Sequence, residues 1–129
     1  MVAPLSENEL VDIILDCSFK IHRQLGPGLL ESVYEEILAY ELRKQGLFVE
    51  RQKQVGLRWE ELFLPRAFRA DLIVNHTVLV ELKSVAELPK DYYKVVMTYL
   101  RLSELKLGLL VNFNAPYLKD GIRRIANKL

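Results

Sequence analysis

Apolar residues recur at Leu10, Ile13, Ile14, Cys17, Ile21 and Leu25, the three- and four-residue spacing of a helix buried on one side. Ser6 and Glu9 form an S-x-x-E capping box just ahead of that stripe. Gly26-Pro27-Gly28 ends it, because Gly suits the position past a helix C-terminus and Pro cannot continue the helix. A second helical pattern runs from about Leu29 to Gln45 and stops at Gly46. "LFVERQKQVGLRW" (47–59) then reads as extended, with further pairing through "ELFLPRAF" (61–68). "RADLIVNHTVLVELK" (69–83) reads as two short strands about a turn at Asn75-His76. Pro89 and Asp91 open a third helix carrying Tyr92, Val95, Val96, Tyr99 and Leu100, and "KLGLLVNF" (106–113) has the near-continuous apolar run of a strand buried on both faces. "YLKDGIRRIANKL" (117–129) spaces Leu118, Ile122, Ile125 and Leu129 as an amphipathic terminal helix.

The predicted order is α-α-β-β-β-α-β-α. The strand–helix–strand unit from Val78 to Phe113 is expected to be a right-handed crossover joining two parallel strands. The three earlier strands are most simply an antiparallel meander. The expected fold is α/β in the α+β sense: a mixed sheet with helices on its faces.

With 129 residues, half of them hydrophobic, the chain fits one globular domain spanning 1–129. Eighteen basic against seventeen acidic residues leave +1, which excludes a strongly basic nucleic-acid binder while allowing a local patch. The single cysteine, Cys17, permits no disulfide framework and points to a reducing, cytoplasmic setting. One Cys with His22 and His76 is a poor ligand set for structural zinc. "MVAPLSENELVDIIL" lacks the basic-then-apolar order of a signal peptide, and no run approaches the roughly 18 apolar residues of a membrane span. A phosphate-binding reading of the "GPG" turn is set aside, since no strand precedes it and no Lys-Ser/Thr follows.

The apolar hairpin carries Asp71, Glu81 and Lys83, and buried carboxylates are costly unless paired or bound to a cation. Glu81 and Lys83 share a face because they are two apart. A two-residue turn at Asn75-His76 pairs Val74 with Thr77 and sets Asp71 opposite Val80; positive φ is easier for Asn and His than for Thr, which favours it. A three-residue connection pairs Val74 with Val78 and Asp71 with Glu81, gathering the charges on one face. We expect Asp71 and Glu81 to be neighbours, with Cβ atoms about 5 Å apart. Two carboxylates that close repel unless a proton or cation separates them, and Mg²⁺ suits such a pair. Lys83 would then orient a water nucleophile or neutralise charge developing on a phosphoryl oxygen.

On a helical wheel the second helix buries Leu29, Leu30, Val33, Tyr34, Ile37, Leu38, Tyr40 and Leu42, with Glu31 inside this arc and Glu35 and Glu36 outside it. Alone, Glu31 is a favourable charge at a helix N-terminus. With Asp71 and Glu81 it is the third carboxylate of a metal site.

"GPGLLESVYEEIL" contains Gly28, Glu31 and Tyr34 in G-x-x-E-x-x-Y spacing, and the chain resembles the GxxExxY protein family through "FRADLIV", "VELKSV", "YLRLSELKLGLLVNF" and "GIRRIAN". That family is grouped with the PD-(D/E)XK nucleases. The resemblance implies a restriction-endonuclease-like αβββαβ core, here with an extra N-terminal helix and a C-terminal helix. It also implies Mg²⁺-dependent hydrolysis of phosphodiester bonds in DNA or RNA, with Mn²⁺ as a substitute ion. Carried over, the metal ligands are Glu31, Asp71, Glu81 and the backbone carbonyl of Leu82, with Lys83 assisting the water. Where the family's next helix carries Gln this chain has Val95, with Lys94 and Lys90 as candidate substitutes. The alternative is a catalytically inert nucleic-acid-binding or regulatory module on the same fold.

Other residues have plainer readings. Tyr92, Tyr93 and Tyr99 at helical spacing suit a core better than base stacking, and Arg123, Arg124 and Lys128 a solvated helix face better than phosphate contacts. Trp59, beside Glu60 and Glu61, marks a hairpin tip and a candidate contact for a homodimer or partner protein. His22 is expected on a helix flank and His76 in the turn. Lys53, Arg58 and Arg66 are candidates for local positive charge near the sheet mouth.

Overall fold

The computed structural model describes residues 3–129. Helix α1 spans Glu7–Leu25, and its start is the expected reciprocal cap: Glu9 N–H donates to Ser6 Oγ (3.2 Å) and Ser6 N–H to Glu9 Oε1 (3.0 Å). It stops at Gly26, whose φ of 72° favours glycine. Helix α2 (Glu31–Lys44) follows, then β1 (Val49–Trp59), β2 (Leu62–Val74) and β3 (Val78–Lys83), helix α3 (Tyr92–Ser103) and β4 (Leu107–Asn112).

The five strands lie in sequence order in one sheet, β3 and β4 parallel and every other neighbour pair antiparallel. Alternating residues of the central strands feed two cores. Leu72, Val80, Leu82, Leu109 and Val111 meet α1 and α2, while Ile73, Leu79 and Leu110 meet α3 through Val96 and Leu100. All six residues of β4 are buried, as the two-sided apolar run predicts.

The C-terminal segment corrects the sequence expectation. Instead of a helix it forms a single 3-10 turn (Leu118–Gly121) and strand β5 (Ile122–Ala126), antiparallel to β4. Without β5 the buried strand β4 would have an unpaired edge, and that cost overrides the local pattern. The three-residue step from Ile122 to Ile125 mimics a helix, yet on a strand it sends one side chain to each face: Ile122 to the α1/α2 core, Ile125 to the α3 core. Gly121 lets the turn close, since a Cβ there would sit 2.6 Å from the Asn112 carbonyl oxygen.

Two departures from regular alternation position the rest. Arg51 pairs with Leu72 and Lys53 with Ala70, but Gln52 and Asp71 between them make no ladder pair, and Gln52 has φ 50°. Across this point β2 exchanges faces: Leu72 and Val74 join the α1/α2 core, whereas Phe68 and Ala70 join the α3 core. Beyond it β2 pairs with β3 only over Leu72–Val74, so the outer parts of β1 and β2 run on as a two-stranded arm. The arm ends at Trp59, which is exposed as its tip position predicts.

Candidate functional site

The turn between β2 and β3 reconciles the two registers considered for it. Asn75 and His76 both adopt positive φ (51° and 54°), yet Thr77 joins the connection and Val74 pairs with Val78. Thr77 N–H donates to Val74 O and its hydroxyl to Asn75 O, so the extra residue costs no backbone hydrogen bond. Continued one step, this register brings Asp71 beside Glu81.

Glu81 is only 4 % exposed, and its Oε1 has no hydrogen-bond partner. Burial, and then the adjacent Asp71 carboxylate, push its pKa up to about 9, so it holds a proton at neutral pH when no cation is present. Asp71 is fixed from two sides: Leu82 N–H donates to Oδ2 (2.8 Å) and Gln52 Nε2 to Oδ1 (3.3 Å). Lys83 turns toward α3, its Nζ 4.5 Å from the centroid of the Tyr92 ring. Burial works against its charge, but the Tyr92 phenol and the charges of Glu31 and Asp71 hold its pKa above the ordinary lysine value.

Glu31 is the first residue of α2 and is placed by Tyr34. The buried phenol donates to Gly26 O (2.6 Å) and accepts from Leu29 N–H (3.2 Å), while its ring stacks on Phe113 at 4.5 Å. This pins the turn into α2, and Glu31 Oε1 accepts from Ser84 N–H (3.2 Å) at the end of β3. The wheel, however, mislabelled the helix faces. Glu31 is exposed, while Glu35 is buried and bonded to Arg51 (3.1 Å) and Gln52. Glu35 and Gln52 were both missed by sequence reasoning. The i, i+4 spacing from Glu31 was the available signal for the first; nothing local marked the second.

Glu31, Glu35, Arg51, Gln52, Arg69 and Asp71 line one cleft of about 840 Å³, with Leu82 in its wall. Glu81 and Lys83 are absent from that wall and sit on the α3 side of β3. Among the described residues, no three acidic, His or Cys side chains converge into a ready-made ion cage. The structure therefore joins Asp71 to Glu81 and sets Glu31 at the end of the same strand without closing the triad. The pair itself fits a divalent cation, because an orphaned buried carboxylate oxygen beside a second carboxylate lacks only positive charge.

The other candidates take structural places. Tyr99 stacks on Phe68 at 4.0 Å, and Lys94 lies 3.8 Å from Asp91. His22 Nε2 bonds Ala115 O (2.8 Å), His76 stacks on Phe48, and Arg124 donates to Asn8 Oδ1 (2.7 Å) from β5 rather than from a helix.

A five-stranded mixed sheet with α1 and α2 on one face and α3 on the other defines an α+β domain. The family model for the PD-(D/E)XK nuclease superfamily matches residues 8–125, and the chain belongs to that superfamily. Comparison with the curated proteins and with the solved structures returned no match. No described helix is long and apolar enough to cross a membrane.

Proposed function

We propose that this protein is a Mg²⁺-dependent nuclease of the GxxExxY type, hydrolysing phosphodiester bonds of nucleic acid. One observation carries the reading: the unpartnered Oε1 of Glu81, buried against Asp71 in a chain of the PD-(D/E)XK superfamily. Asp71, Glu81, the Leu82 carbonyl and Glu31 would hold the ion, Mn²⁺ serving as a substitute. When bound, it supplies Lewis-acid charge to the scissile phosphate and acidifies water. Lys83, kept cationic by Tyr92 and Glu31, orients the attacking water and offsets charge on the phosphoryl oxygens. Arg69, exposed in the cleft with no ion pair among the described residues, gives the flanking phosphates a cationic contact.

End-labelled DNA and RNA, single- and double-stranded, incubated with Mg²⁺ test the reading. Cleavage by the wild type that falls to background in Glu81→Gln and in EDTA supports it. Metal binding with no cleavage of any substrate would replace it with the inert-module alternative.

A further inference from the structure

Gln52 is a long side chain held in a backbone conformation that suits glycine, at the point where β1 and β2 leave their ladder. Its amide nitrogen reaches two carboxylates at once, Glu35 Oε1 and Asp71 Oδ1. Glu35 is buried and itself held by the Arg51 guanidinium, through both Nε (3.2 Å) and Nη2 (3.1 Å). With Leu82 N–H on Oδ2, both oxygens of Asp71 are occupied by donors. We propose that Glu35 and Gln52 are positioning residues for Asp71: Arg51 fixes Glu35, Glu35 fixes Gln52, and Gln52 sets the rotation of the Asp71 carboxylate so that its remaining lone pairs face Glu81. The inference rests on the proposed metal site and assigns it a support that runs from α2 through the kink of β1. Strain retained at a non-glycine residue beside a site is the signature of such a device.

The test separates this role from a merely structural one. Mn²⁺ binding is titrated by electron paramagnetic resonance on wild type, Gln52→Asn, Gln52→Gly, Glu35→Ala and Glu35→Gln, with thermal melts alongside. Asn tolerates positive φ but is one methylene too short to bridge, and Gly relieves the strain but has no amide. Both relieve the backbone strain but leave buried Glu35 without one donor, so both are expected to melt cooperatively at or somewhat below the wild-type temperature while binding Mn²⁺ roughly 10- to 100-fold more weakly, as loss of a ligand's supporting hydrogen bond does. Glu35→Gln keeps an acceptor for Gln52 and should retain more affinity than Glu35→Ala. Wild-type binding matched by both Gln52 variants would overturn the positioning role and leave the metal site standing. No binding by the folded wild type would refute the metal reading and this inference together.

The arm supports a second inference, independent of the site. Leu57 pairs with Leu64 and Trp59 with Leu62, so these four side chains form one apolar face. Trp59, Leu62 and Leu64 remain 68 %, 56 % and 43 % exposed. On the opposite face Arg58 lies 5.2 Å over the Phe63 ring, which makes that face mixed rather than apolar. Glu60 and Glu61 make the tip acidic, and Arg66 makes the stem basic. We infer that the apolar face receives the same face of a second copy, because a two-fold contact of antiparallel arms sets each acidic tip over the other's basic stem. Each arm offers four such side chains, far fewer than the roughly 20–30 residues a standard interface uses per partner, so the dimer is weak. Sedimentation velocity up to about 300 µM is expected to show the 15.0 kDa chain doubling in mass with concentration. Trp59→Ser with unchanged circular dichroism should stay monomeric, and Glu60→Lys/Glu61→Lys should weaken the association. A wild type that stays monomeric, or association untouched by Trp59→Ser, would overturn the inference.

Discussion

Replacing Glu81 by Gln removes a carboxyl group that the metal-free fold tolerates only when protonated. The folded protein keeps that proton up to about pH 9, whereas the unfolded chain releases it near the ordinary value of 4.5. Across this window the native state binds more protons than the unfolded state, so stability falls as pH rises. The full slope of one proton is about 1.4 kcal/mol per pH unit, so the loss between pH 6 and pH 8 is on the order of 3 kcal/mol. For a domain of 129 residues that is a drop of roughly 10 °C in melting temperature. Glu81→Gln carries no such proton and should lack this component. The difference between the two melting curves isolates it, because every other ionisable group is common to both proteins. Melts followed by circular dichroism in EDTA at pH 6, 7 and 8 measure the effect. Parallel pH profiles for wild type and Glu81→Gln would refute the claim that Glu81 is buried as a neutral acid beside Asp71. Saturating Mn²⁺ should flatten the wild-type profile, since the ion takes the place of the proton.

Other consequences are specific to single contacts. Lys83→Ala should bind Mn²⁺ within a few-fold of wild type but cleave roughly 10²- to 10⁴-fold more slowly, as loss of a proton-transfer or charge-neutralising group does; single-turnover kinetics decide. Tyr34→Phe removes the hydroxyl bridging Gly26 O and Leu29 N–H, and urea unfolding should record a loss of about 1–3 kcal/mol. Ser6→Ala removes the α1 cap and should cost about 1 kcal/mol by the same assay, with no change in metal affinity. Gly121→Ala forces a Cβ against the Asn112 carbonyl and should destabilise the β4–β5 edge, read as faster amide exchange in Ile122–Ala126.

Much of the fold was legible because local signals agreed with tertiary need. The Ser6–Glu9 cap, the Gly26 stop and the apolar run of β4 each have one physical solution, and the structure adopts it. The Asp71–Glu81 neighbourhood was legible for a related reason: segregating charge from core selects a register even where turn chemistry is ambivalent. What was hidden depended on distant partners. Residues 122–126 look helical until β4 requires an edge partner. Glu35 looks solvated until Arg51 and Gln52, on another element, make its burial affordable. The face exchange at Gln52 and Asp71 obeys no sequence period, because it breaks one.

Calorimetric titration of Mn²⁺ into metal-free wild type, Asp71→Asn and Glu81→Gln tests the central claim most directly, since it requires no choice of substrate. A site present in the wild type and lost in both variants is expected, with one ion held between the two strands. Binding that survives both substitutions, or none in a wild type shown to be folded, would contradict it.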